Sequence, residues 1–116
     1  MIFLGRLSVK ELSAIYQKAD IMVYPSIFEG FGLPILESLF SKTPVITSKE
    51  GCFKESGGDH SIYIDPLSID ELIHAIKKIR KDKNSLKEQI EKGWIHAQKF
   101  TDEKISQNLI KIYKDL

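Results

Sequence analysis

One cysteine, four prolines and one tryptophan among 116 residues close off several familiar solutions. Cys52 alone forms no internal disulfide and no cysteine-rich zinc site, and a free thiol suits a reducing compartment, which points to the cytoplasm. Apolar runs such as Ile21-Met22-Val23-Tyr24 stop far short of the ~20 residues a membrane span needs, and the amino end lacks a signal-peptide layout. Neither sign of charge dominates. Seventeen Lys/Arg against sixteen Asp/Glu give a net +1, which excludes the strong basic excess of a dedicated nucleic-acid binder. Residues 1–66 are net −2 and residues 67–116 net +3, but the later basic residues alternate with acids as on solvated helix faces. What remains, 42% apolar and 28% charged residues, is the composition of one globular domain with a real core.

The pattern along the chain alternates strand and helix. Ile2-Phe3-Leu4, closed by Gly5, reads as a strand end. Ser8-Val9-Lys10-Glu11 is a capping box with Leu7 and Leu12 as its hydrophobic staple, followed at helical spacing by Ile15, Tyr16 and Ala19. Ile21 to Tyr24 shows no polar alternation, as in a strand covered on both faces. Pro34 opens a short helix that Pro44 prevents from extending. Val45-Ile46-Thr47 is a third strand, residues 51–58 a polar glycine-containing loop, Ile62-Tyr63-Ile64 a further short strand, and Asp65-Pro66 a turn. Ser68 to Glu71 repeats the capping box, with Leu67 and Leu72 as staple, and starts a helix carrying Leu72, Ile73, Ile76 and Ile79 inward. Two more helical patterns follow, on Leu86, Ile90, Trp94 and Ala97, then on Ile105, Leu109, Ile112 and Leu116. This order predicts an α/β chain with a parallel sheet, whose ligands belong beyond the carboxyl ends of the strands.

The segment after Tyr24 is therefore where chemistry is expected. Gly30 and Gly32 permit a sharp turn and a close ligand approach just before a helix amino terminus. There the amides of Gly32, Leu33, Ile35 and Leu36 can face an anion, helped by ~0.3–1 kcal/mol of helix dipole. Glu37 on the first helical turn can accept from a vicinal diol such as a ribose, and Glu29 stands on the loop side. Taken alone, Glu37 reads more readily as a residue complementing the dipole. Two carboxylates also suit glycoside hydrolysis, but that chemistry needs them opposed across the scissile bond, and the spacing shows no such opposition. Cys52, His60, His74 and His96 have no metal-ligand spacing and read as structural or solvent-facing.

The stretch Glu29-Gly30-Phe31-Gly32-Leu33-Pro34-Ile35-Leu36-Glu37 closely resembles the Glu-x7-Glu motif of retaining glycosyltransferases of group 1, which have two Rossmann domains (the GT-B architecture). Phe3-Leu4-Gly5, Tyr16 through Asp20, Tyr24-Pro25-Ser26 and Thr43 to Ile46 fall in that family's order, so the resemblance covers essentially all of residues 1–116. It implies half of a Rossmann-like donor-binding domain, three-layer α/β/α, with a short parallel sheet and C-terminal helices. Glu29 then lies beside the donor sugar as the catalytic carboxylate, and Glu37 holds the ribose. Gly30, Phe31, Gly32 and Leu33 approach sugar and diphosphate, and Arg6 and Leu7 line the nucleobase. The nucleotide-sugar is a substrate, and no cofactor or metal is expected; the chain has no Asp-x-Asp. Lys54-Glu55 before Gly58-Asp59, and Asp102 in place of an aromatic, depart from the family pattern at scaffold positions.

The same resemblance implies a fragment. The acceptor-binding domain and the first half of the donor domain, with its diphosphate-binding Arg/Lys pair, are expected outside the chain, in a cytoplasmic parent enzyme that can be membrane-associated. The parent transfers a sugar with retention to a glycan or lipid-linked acceptor, as in polysaccharide biosynthesis, while the isolated chain is expected to be inactive. With the strand order 3-2-1-4-5-6 the chain would supply strands 4, 5 and 6, leaving Ile2-Phe3-Leu4 as an open edge for self-association. A non-catalytic module binding a nucleotide-sugar or a partner, or a GT-B-type epimerase or phosphorylase fragment, are the alternatives the same loop allows.

Overall fold

The computed structural model describes residues 1–115; Leu116, expected to close the last apolar stripe, lies outside them. Three strands, β1 (Met22–Tyr24), β2 (Val45–Ser48) and β3 (Ile62–Ile64), pair in parallel in the order β1-β2-β3. Met22 lies opposite Val45, and Ile46 opposite Ile62. The helices are α1 (Val9–Lys18), α2 (Leu33–Phe40), α3 (Phe53–Gly57), α4 (Ile69–Lys81), α5 (Lys83–Ala97) and α6 (Asp102–Asp115), with a 3-10 turn at Gln98–Phe100 before α6.

The central strand divides two cores. All four residues of β2 are buried, and successive side chains leave opposite faces of a strand. Val45 joins Ile35, Leu36, Leu39, Phe53 and Ala97, from α2, α3 and α5, on one face. Ile46 joins Ile64, Ala75 and Ile79, from β3 and α4, on the other. The result is the expected three-layer α/β/α arrangement around a short parallel sheet.

Both capping signals work, in different ways. Ser8 accepts from the Glu11 amide at 3.3 Å while Glu11 accepts from the Ser8 amide at 2.8 Å, so the first box is reciprocal. Ser68 accepts from the Glu71 amide at 3.2 Å, but Glu71 Oε2 reaches past it to the Asp65 amide at 2.7 Å. That longer reach ties the start of α4 to the end of β3. Leu67 is 80% exposed and forms no staple, and Ile73 is exposed while Ala75 takes the inward position.

Three expectations give way. Ile2-Phe3-Leu4 is not a strand: it pairs with nothing and is 84%, 87% and 56% exposed. In the order 3-2-1-4-5-6 the strand that precedes strand 4 in sequence is separated from it by two others, so this segment has no slot beside β1, and the open edge is β1 itself. β1 is only partly covered, with Val23 at its exposed middle. The polar loop over residues 51–58 contains α3, because Phe53 is almost completely buried and draws one helical turn inward.

Candidate functional site

The loop between β1 and α2 is fastened to the middle of the sheet. Thr47 and Ser48, both buried on β2, donate their hydroxyls to the carbonyls of Tyr24 (2.9 Å) and Ser26. Small hydroxyl residues at the carboxyl end of a central strand thus satisfy the carbonyls that β1 turns toward them as the chain leaves the sheet.

Glu29 is held by its own loop. Tyr24 Oη and Ser26 Oγ both donate to Glu29 Oε1, at 2.7 and 3.0 Å, and Cys52 Sγ donates to the Glu29 carbonyl at 3.3 Å. The Tyr24 ring packs edge-on against Phe53, centroids 6.4 Å apart. The hydrogen bond to Glu29, then burial and the carboxylate's charge, push the Tyr24 phenol up to about 12, so it remains a donor at neutral pH.

Glu37 is exposed on α2, on the second turn rather than the expected first because the helix already begins at Leu33, and it is anchored from another element. Tyr16 Oη, on α1, donates to Glu37 Oε2 at 3.1 Å. Burial first, and then the bond to Glu37, raise the Tyr16 phenol to about 12. Beside the pair lies a cavity of about 240 Å³ lined by Val9, Leu12, Ser13 and Phe40 as well as Tyr16 and Glu37. Neither Arg6, which is exposed, nor the half-buried Leu7 lines it. Among the described residues Glu29 and Glu37 share no hydrogen-bond partner: one belongs to the β1 loop, the other to the α1–α2 contact.

The two glycines differ. Gly32 caps α2 at φ +83°, and a Cβ there would stand 3.0 Å from Ile35 Cδ1 and 3.2 Å from Ser56 Oγ, so both conformation and space require glycine. Gly30 has no positive φ, and a Cβ there would meet nothing within 4 Å; the fold itself does not demand glycine, contrary to the expected sharp turn. Helix α2 begins at Leu33, with Pro34 one residue inside, and the Ile35 amide already donates to the Gly32 carbonyl at 3.0 Å, removing it from the amides expected to face an anion. Phe31 is half-buried, its ring 5.4 Å from that of Phe100, which leaves its backbone rather than its side chain for a ligand; Leu33 is exposed.

Sequence reasoning named both glutamates and missed what holds them. Tyr16, Tyr24 and Ser26 were visible only as parts of matching stretches, and nothing in their spacing marks them as donors to a carboxylate. Cys52 and His96 are structural as expected. The His96 ring lies over Gly58, with Nε2 2.9 Å from the Glu55 carbonyl, to which it donates.

Comparisons with known proteins agree on one assignment. The family described as glycosyl transferases group 1 matches residues 1–96. The O-antigen chain mannosyltransferase B of Escherichia coli is 32% identical over 97% of this chain and 29% of its own length. The O-antigen chain mannosyltransferase RfbU of Salmonella typhimurium is 43% identical over 66% of this chain and 22% of its own length. Among solved structures, sucrose-phosphate synthase from Thermosynechococcus elongatus superposes with a TM-score of 0.85 at 26% identity, covering 98% of this chain and 29% of that one. The chain thus spans less than a third of the length of each of these relatives.

Proposed function

The chain belongs to the group 1 glycosyl transferases, and on that premise we propose that it carries one side of the donor site of an enzyme transferring a sugar from a nucleotide-sugar, with retention, to a glycan or lipid-linked acceptor. The observation that carries this reading is that Glu29, in the loop before α2, and Glu37, on the second turn of α2, each have one carboxylate oxygen tied to a tyrosine, Glu29 to Tyr24 and Glu37 to Tyr16. Each keeps a second oxygen to accept from ligand hydroxyls.

In this reading Glu29 is the catalytic residue, accepting from donor-sugar hydroxyls, and Glu37 accepts from the ribose diol. The backbone of Gly30, Phe31, Gly32 and Leu33 approaches sugar and diphosphate, and the open space over Gly30 supports that approach. The amino terminus of α2 stabilises negative charge building on the departing diphosphate. Arg6 and Leu7, just before α1, serve the nucleobase side. The nucleotide-sugar is a substrate, and no metal or cofactor is invoked. Two relatives are mannosyltransferases by name, so a mannose nucleotide is the first donor to try. The chain spans less than a third of these relatives' length, and in this reading the acceptor groups come from outside it, so the chain alone is proposed to be inactive.

The test is an amide-resolved NMR titration with UDP, GDP, ADP and GDP-mannose, on the chain and on Glu37→Ala. Weak shifts confined to Arg6, Leu7 and Glu29 through Glu37, and lost in Glu37→Ala, are expected. Strong nucleotide binding that survives Glu37→Ala would overturn the site and favour a non-catalytic binding module.

A further inference from the structure

Glu29 accepts both side-chain donors on the same oxygen. A carboxylate held by one bond can still swing about it; one held on Oε1 by two donors from different directions keeps a single rotation. Tyr24 comes from the last position of β1 and Ser26 from the loop, at 2.7 and 3.0 Å; the Ser26 hydroxyl has one other acceptor in range, the Phe28 carbonyl at the longer distance of 3.3 Å. The Tyr24 ring is set against Phe53, its carbonyl is bound by Thr47, and the Ser26 carbonyl is bound by Ser48. The Glu29 backbone is fixed in turn by Cys52. Among the described residues Oε2 accepts from no protein donor.

We infer that Tyr24 and Ser26 are the positioning residues of Glu29: through two bonds to Oε1 they set the carboxylate's orientation and reserve Oε2 as the oxygen that meets a ligand hydroxyl. This deepens the donor-site reading and rests on it for the identity of the ligand. The high phenol pKa of Tyr24 is consistent with the arrangement, since a phenolate could not donate. Glu37, with one tyrosine donor and an exposed side chain, is held more loosely, as suits a residue meeting a ribose whose pucker varies.

The experiment uses this chain with 13C-labelled Glu and Tyr, and the variants Tyr24→Phe, Ser26→Ala, their double and Glu29→Gln. Tyr24→Phe keeps the ring on Phe53, so a change it causes belongs to the hydroxyl. Expected are one side-chain rotamer for Glu29 at pH 7, averaging in the double variant with an unchanged amide spectrum elsewhere, and a Tyr24 phenol still un-ionised at pH 11 in the wild-type chain but mostly ionised there in Glu29→Gln. With millimolar GDP-mannose, Glu29 signals shift, and the apparent affinity falls about two- to tenfold in Tyr24→Phe, the cost of ordering one freed side chain. Rotamer averaging in the wild-type chain, or a single rotamer persisting in the double variant, would overturn the inference. A pinned Glu29 that does not respond to nucleotide-sugar would uphold the positioning role and count against the donor-site reading instead.

Discussion

Tyr16 Oη donates to Glu37 Oε2 across 3.1 Å, which makes α1, a helix with no buried residue of its own, part of the site by way of one hydrogen bond. Tyr16→Phe removes the bond and leaves an exposed carboxylate that water can solvate. It is expected to cost ~0.5–1.5 kcal/mol in urea unfolding and to weaken nucleotide binding through a less ordered Glu37.

Three phenols carry pKa values of about 12: Tyr16 and Tyr63 chiefly through burial, Tyr24 chiefly through its bond to Glu29. The unfolded value is ~10, so the folded state holds these protons more tightly. The stability this contributes is fully present below pH ~10 and is lost as the pH rises toward 12. Urea midpoints should stay level from pH 7 to 9.5 with respect to these groups and then fall, and each Tyr→Phe variant should flatten part of the fall. A level curve to pH 12 would contradict the three shifts.

Gly30→Ala and Gly32→Ala should separate binding from folding. At Gly32 a methyl group meets Ile35 and Ser56 in a left-handed conformation, so a loss of at least ~1–2 kcal/mol is expected. At Gly30 it meets open space, so stability should change by less than ~0.5 kcal/mol while donor shifts in the NMR titration weaken.

Lys42 sits at φ +59°, with its ammonium 5.1 Å from the Trp94 ring centre and 3.5 Å from Glu91. Lys42→Ala keeps the strained backbone and loses both contacts, for an expected cost of ~0.5–1.5 kcal/mol. Lys42→Gly loses the same contacts but relieves ~1 kcal/mol or more of left-handed strain, so it should be the more stable of the two in thermal melts.

The β1 edge leaves backbone groups of Met22–Tyr24 without a neighbouring strand, and the exposed Met1–Leu4 tail adds apolar surface. Self-association at tens of micromolar (order of magnitude) is expected, reduced by Val23→Lys on that edge. Light scattering giving a monomer throughout would refute it.

The sheet and five of the six helices were legible because each rests on a local signal: a capping box, an uninterrupted apolar run, a proline near a helix start. Ile2-Phe3-Leu4 misled because strand propensity says nothing about whether a neighbouring slot exists. Residues 51–58 misled because one buried phenylalanine outweighed a polar, glycine-rich composition. The donor to Glu37 was hidden for a third reason: a hydrogen bond between Tyr16 and Glu37 spans 21 positions, and only the packing of α1 on α2 brings them together.

Thr47 and Ser48 lie on the only strand with neighbours on both sides among the described residues, the segment whose amides should exchange last. Because they grip the carbonyls of Tyr24 and Ser26, the root of the Glu29 loop cannot detach while that strand stays in place. Loop and sheet therefore belong to one cooperative unit. On heating, loss of the Glu29 geometry should coincide with global melting rather than precede it, whereas α6, which buries nothing, can fray early without consequence for the site.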